Sequence, residues 1–113
     1  MNNNKEIVKA EDIQILGSGV GEYHFKKPAT IDGNPVESIK YDFNEITGAN
    51  IRNARAELGK RGYVVSVKEI DECYQAALFA EAAGITYADV DRFSVVDYSA
   101  VAAIAGAFLN GED

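Results

Sequence analysis

The chain has one cysteine, one histidine, one methionine, two prolines and no tryptophan among its 113 residues. Cys73 alone excludes an internal disulfide framework and a cysteine-rich metal site. A single histidine, His24, leaves too few ligands for a conventional zinc site. Positive charge is also scarce: 11 Lys and Arg stand against 18 Asp and Glu, for a net charge of −7. A general binder of phosphate backbones or anionic lipid needs the opposite balance, so nucleic acid and membrane are not expected partners. No long apolar run follows the polar start from Met1 to Glu6, so neither a secretory signal nor a membrane span is expected. A reducing cytosol suits this cysteine usage.

What is present is ordinary for a globular protein: 47% apolar and 26% charged residues. One domain is expected, large enough to bury roughly two thirds of its extended-chain surface. Residues 1–21 are the least specified part. Ile7, Ile13, Ile15 and Leu16 precede Gly17, Ser18, Gly19 and Gly21, which reads as a flexible arm or a short extra strand. Residues 22–43 read as a hairpin. Tyr23 and Phe25 alternate with Glu22, His24 and Lys26, and Asp32-Gly33 supplies the turn. A change of phase between Val36 and Ile39 marks a bulge or the approach to the second strand.

From residue 44 the apolar period lengthens to that of a helix. Helices are expected over 47–58, 67–83, 87–92 and 95–109. Thr47 with Asn50, Ser66 with Glu69, Thr86 with Asp89 and Ser94 with Asp97 are the cap pairs. Gly59 with Gly62, and Gly84, are the expected stops. The expected class is α+β: an N-terminal β-hairpin packed on a small bundle of three to four helices. A two-stranded hairpin is marginal alone in water, so it must lie on the helices, extend another sheet or pair with a copy of itself.

No motif for catalysis emerges. Val20, Gly21 and Glu22 follow the Gly-Ser-Gly group where a phosphate loop needs its lysine and hydroxyl. His24 falls on the outward phase of its strand. Cys73 sits among Glu69, Asp71 and Glu72, an unfavourable setting for a reactive thiolate. Asp89 and Asp97 are explained as helix-start residues. Neither a catalytic residue, a metal nor a cofactor is expected.

The charge layout is uneven. Residues 52–68 carry a net charge of +4, through Arg52, Arg55, Lys60, Arg61 and Lys68 against Glu57. From Glu69 onward nine acids face only Arg92. Neighbouring helices can use such a pattern to complement each other, or a protein partner can use it. Arg52, Arg55 and Arg61 are the candidate partner-binding cations on the second reading. The last helix is apolar nearly all round, where a surface helix shows only a stripe. Either it is the central helix of the bundle, or one face meets another chain. Tyr98, Val101, Ala105 and Phe108 form the expected core stripe, and Ala100, Ile104 and Ala107 the candidate contact stripe.

The stretch from Phe25 to Phe108 resembles the phage tail assembly chaperone family of long-tailed bacteriophages and prophages. The resemblance rests on Phe25-Lys26-Lys27-Pro28-Ala29-Thr30-Ile31-Asp32-Gly33, on Ile39-Lys40-Tyr41-Asp42-Phe43 and on Ile46-Thr47-Gly48. It continues at Ala83-Gly84-Ile85, Tyr87 and Asp97-Tyr98. Ile46 stands where the family more often has leucine, and the arm before the hairpin is longer than the family needs. The resemblance implies a non-catalytic helper in the host cytoplasm, not retained in the mature virion. It would bind the tape measure protein and keep it soluble during tail-tube assembly. A frameshifted longer form of itself, the tail tube protein and a homo-oligomer are the other partners it implies. The competing readings are a structural or completion protein of the tail, and a small ligand-binding or regulatory domain. The last would need several of Tyr23, His24, Tyr41, Cys73 and Asp97 around one hollow.

Overall fold

The computed structural model describes residues 19–62 and 71–111. β1 (Val20–Ile31) and β2 (Asn34–Asp42) pair as an antiparallel hairpin. Asp32 and Gly33 carry φ of 53° and 79°, the two positive values that a tight two-residue turn matching the strand twist requires. Alternation holds along the first half of β1: Tyr23 and Phe25 are half-buried, while Glu22, His24 and Lys26 are exposed.

The irregularity lies on the strand opposite to the expected one. His24 pairs with Ser38 and Ala29 with Val36, so Phe25 to Pro28 bulge out against Glu37 alone. Pro28 has no N–H to give a ladder, and the amides of Lys26 and Lys27 are claimed by a side chain from elsewhere, described below. The arm expected over residues 1–21 also ends early. Gly19 is already buried, its carbonyl accepts the Phe43 amide at 2.7 Å, and β1 begins at Val20. The rest of that arm lies outside the described residues.

A single 3₁₀ turn (Phe43–Glu45) leads into α1 (Gly48–Lys60), then α2 (Glu72–Ala83), α3 (Tyr87–Asp91) and α4 (Val95–Leu109). Three of the expected caps form. Thr47 with Asn50 and Thr86 with Asp89 make reciprocal capping boxes, and the Ser94 hydroxyl accepts the Asp97 amide. Gly84 ends α2 in the left-handed conformation.

Two boundaries differ. α1 runs through Gly59 and stops at Arg61, before Gly62. α2 starts at Glu72 rather than near residue 67. Asp71 is extended and its carboxylate accepts the Tyr74 amide at 2.9 Å, so it is the N-cap. The Ser66–Glu69 box lies outside the described residues. The architecture of the described residues is α+β, a hairpin on a bundle of four helices.

The core forms where α4 and β2 pack on α2 and α1 closes over the outside of α2. Leu78, Phe79, Val101 and Ala105 are fully buried there. α4 approaches α2 closely at Gly106, where an added Cβ would sit 2.8 Å from the Gln75 amide nitrogen. The hairpin is fastened by rings. Phe43 stacks on Phe108 with centroids 4.9 Å apart, Tyr41 meets Phe79 at 5.4 Å, and Phe25 meets Phe93 edge-on at 4.8 Å. Such pairs add about 0.5–1.5 kcal/mol each beyond the area they bury. No helix among the described residues is long and apolar enough to cross a membrane.

Candidate partner-binding surface

The densest gathering of polar groups is where the hairpin meets the start of α4. Asp97 is fully buried. One carboxylate oxygen accepts the Tyr23 hydroxyl at 2.6 Å and the Lys26 amide at 2.8 Å. The other accepts the Ser94 hydroxyl at 2.7 Å and the Lys27 amide at 3.1 Å. Burial alone would raise its pKa, but the donors from Tyr23, Lys26, Ser94 and Lys27 outweigh it and hold the carboxyl below its usual range. Burial, and then the same contact, push the Tyr23 phenol well above its ordinary value.

Asp89 does parallel work one helix earlier. Its carboxylate caps α3, pairs with Arg92 at 2.7 Å and accepts the Asp32 amide of the hairpin turn at 3.4 Å. Every donor around these two aspartates belongs to the chain itself. They fasten the hairpin, with both carboxylates buried. Sequence reading placed both correctly as helix-start residues. It missed their long-range partners, because nothing local to residue 97 announces a bulge at residues 26 and 27.

The residues that a ligand-binding reading would gather do not converge. Tyr23 is bonded to Asp97, but His24 is exposed on the other face of β1. Tyr41 is in the core. Cys73 is half-buried beside Tyr98, whose phenol is raised by burial first and then by that cysteine. Among the described residues no group of three His, Cys, Asp or Glu is placed to hold a metal ion.

Cys73 and Tyr98 belong instead to a cleft of about 200 Å³ between α1, α2 and α3, closed at one end by α4. Leu58, Ala77 and Val90 give it an apolar floor, and Glu57, Arg61 and Asp91 line it with charge. Its volume falls below the roughly 300–1,000 Å³ of small-molecule sites. No family model, curated protein or solved structure matches the chain.

The three candidate cations sit on α1 with different surroundings. Arg52 is exposed. Arg55 is exposed with its guanidinium 5.8 Å from the centre of the Tyr74 ring, within cation–π range. Arg61 bridges Glu57 at 3.1 Å and Asp91 at 3.0 Å, tying α1 to α3. That is complementarity within the fold. Lys68 lies outside the described residues.

The contact stripe expected on the last helix is corrected at its centre. Ile104 is 5% exposed and belongs to the core, while Ala100 and Ala107 are half-buried. Between α2 and the hairpin, α4 has most of its girth covered within the monomer, which accounts for its apolar composition on nearly every side. Of the expected core stripe, Val101 and Ala105 are buried, whereas Tyr98 and Phe108 are half-buried. The large apolar side chains that α4 does leave in water are Val95 and Val96, 82% and 61% exposed in its first turn, and Ala103 is exposed further along.

Proposed function

We propose that this chain is a non-catalytic phage tail assembly chaperone, which binds the tape measure protein and keeps it soluble in the bacterial cytoplasm while the tail tube is built. One observation carries the reading: three of the segments that resemble the family, around Lys26–Gly33, Tyr41–Phe43 and Asp97, join hairpin to bundle. Lys26, Lys27 and Asp97 meet in one set of hydrogen bonds, Asp32 reaches Asp89, and Tyr41 and Phe43 carry the ring contacts to α2 and α4. A pattern that maps onto the joint of a fold, rather than onto scattered surface positions, is what a shared architecture would preserve. The polar clusters are saturated by the chain itself, which favours a scaffold that holds another chain through its surface.

Co-expression with the tape measure protein of the same phage tests it. The tape measure protein should move from the pellet to the soluble fraction and co-purify with this chain. Purified virions should lack it. A tape measure protein that stays equally insoluble with and without this chain refutes the proposal, and retention of the chain in virions points to a tail component.

A further inference from the structure

We infer that this chain forms a twofold dimer in which Val95 of each copy enters the cleft between α1, α2 and α3 of the other. Val95 and Val96 are the most exposed large apolar side chains among the described residues. Two adjacent β-branched residues in water contribute nothing to the monomer core and disfavour the helix they start. The cleft nearby is the complementary shape. Its 200 Å³ is below the volume of small-molecule sites, and its floor is Leu58, Ala77 and Val90. That suits one or two branched side chains better than a metabolite.

Knob and hole lie on the same side of the molecule. Tyr98 lines the cleft, and Val95 is three residues before it on α4, hence on the same helix face. Asp91, four residues before Val95, lines the cleft as well. A projection beside a matching recess on one face is what a twofold axis needs, because each copy then gives and receives the same contact. Head-to-tail growth would need knob and hole on different faces.

Charge agrees. The bulge of β1 hangs on Asp97, the residue after Val96. With the Lys26 amide 2.8 Å from that carboxylate, its backbone nitrogen is at most about 10 Å from the Val96 Cα. Lys26 and Lys27 are both exposed. They flank the knob with positive charge, while Glu57, Arg61 and Asp91 give the cleft a net charge of −1, the arginine bridging both acids. The dimer therefore weakens as salt rises. This inference does not depend on the tape measure reading.

Sedimentation of the full chain over about 1 to 200 μM, a span that brackets a small interface, tests it. The parent should pass from monomer to dimer without larger species. Val95→Lys should weaken the dimer by more than about tenfold, with an unchanged circular dichroism melt, since that side chain lies in water in the monomer. Alkylation of Cys73, on the cleft wall, should slow as the parent dimerises and stay constant with concentration in Val95→Lys. Three results would overturn the proposal: a parent that remains monomeric throughout, which leaves the cleft to a helix of another protein; a Val95→Lys chain that dimerises equally well; or open-ended oligomers. Should Val95→Lys misfold, Val95→Ala carries the same expectation of a weaker dimer.

Discussion

α1 and α4 are both helices of more than three turns, yet they belong to the fold in different ways. α1 buries Ala54 and Leu58, packs Ile51 partly on the core, and is otherwise held by the Asn50–Glu81 hydrogen bond, the Arg61–Asp91 ion pair and a ring contact. α4 buries Asp97, Val101, Ala102, Ile104, Ala105 and Gly106. A polar face frees α1 to sit at the edge. Without one, α4 is obliged to sit in the middle, and its one buried charge becomes the hook for the hairpin. Apolar composition around a helix thus reported central position here, and the large apolar side chains it leaves exposed are confined to its first turn.

The largest expected effect is a charge placed in the middle of α4. Ile104→Glu should cost more than about 5 kcal/mol, which exceeds the stability of many small domains, because the carboxylate would have no partner in the core. Loss of helical circular dichroism at 25 °C checks this, and a folded variant would contradict the central placement of α4.

Next comes the hook. Asp97→Ala leaves the amides of Lys26 and Lys27 without their acceptor and should cost about 3 to 5 kcal/mol in urea unfolding. Acid should reveal the same carboxylate. Asp97 and Asp89 both titrate lower in the folded chain than in the unfolded one. Their contribution is therefore complete above the unfolded value of about 4 and is lost as pH falls through the folded values. Urea midpoints should hold between pH 7 and 5 and fall below pH 4, and Asp97→Asn should flatten that fall. A parent midpoint unchanged down to pH 2.5 would mean the carboxylate is not held as described.

On α1 the effects should be smaller. Leu58→Ala should cost about 2 kcal/mol, the low end for a buried leucine, because the neighbouring cleft already limits its packing. Arg61→Ala should cost less than about 1 kcal/mol and become silent in high salt, since the guanidinium is 40% exposed. An Arg61 variant that melts as early as Asp97→Ala would erase the contrast between the two helices.

Local chemistry was the readable part of this chain. The Asp32-Gly33 turn, the caps at Thr47, Thr86 and Ser94 and the stop at Gly84 each depend on residues within four positions of one another, so a sequence displays them. The start of α2 differs from the expected one because Asp71, extended and accepting the Tyr74 amide, is its N-cap. The face of α4 that meets the core could not be read from periodicity. When apolar residues surround a helix there is no phase to find, and neighbouring elements decide it. The β1 bulge was misplaced for a related reason. Its amides answer to Asp97, about 70 positions away, and no short window holds both halves.

That separation has a kinetic consequence. The Tyr23–Asp97 bond joins residues 74 apart, so it closes only after almost every other described element has been synthesised and has collapsed. During translation the hairpin emerges before the helices, with Tyr23, Phe25, Tyr41 and Phe43 facing water and no helix to rest on, a state in which two strands alone are barely stable. Its amides at the bulge are satisfied by solvent until the first turn of α4 arrives and exchanges water for a carboxylate. The element that opens the described chain is therefore the last to be locked, and its aromatic face is the one a newborn chain leaves open longest to encounters with its neighbours.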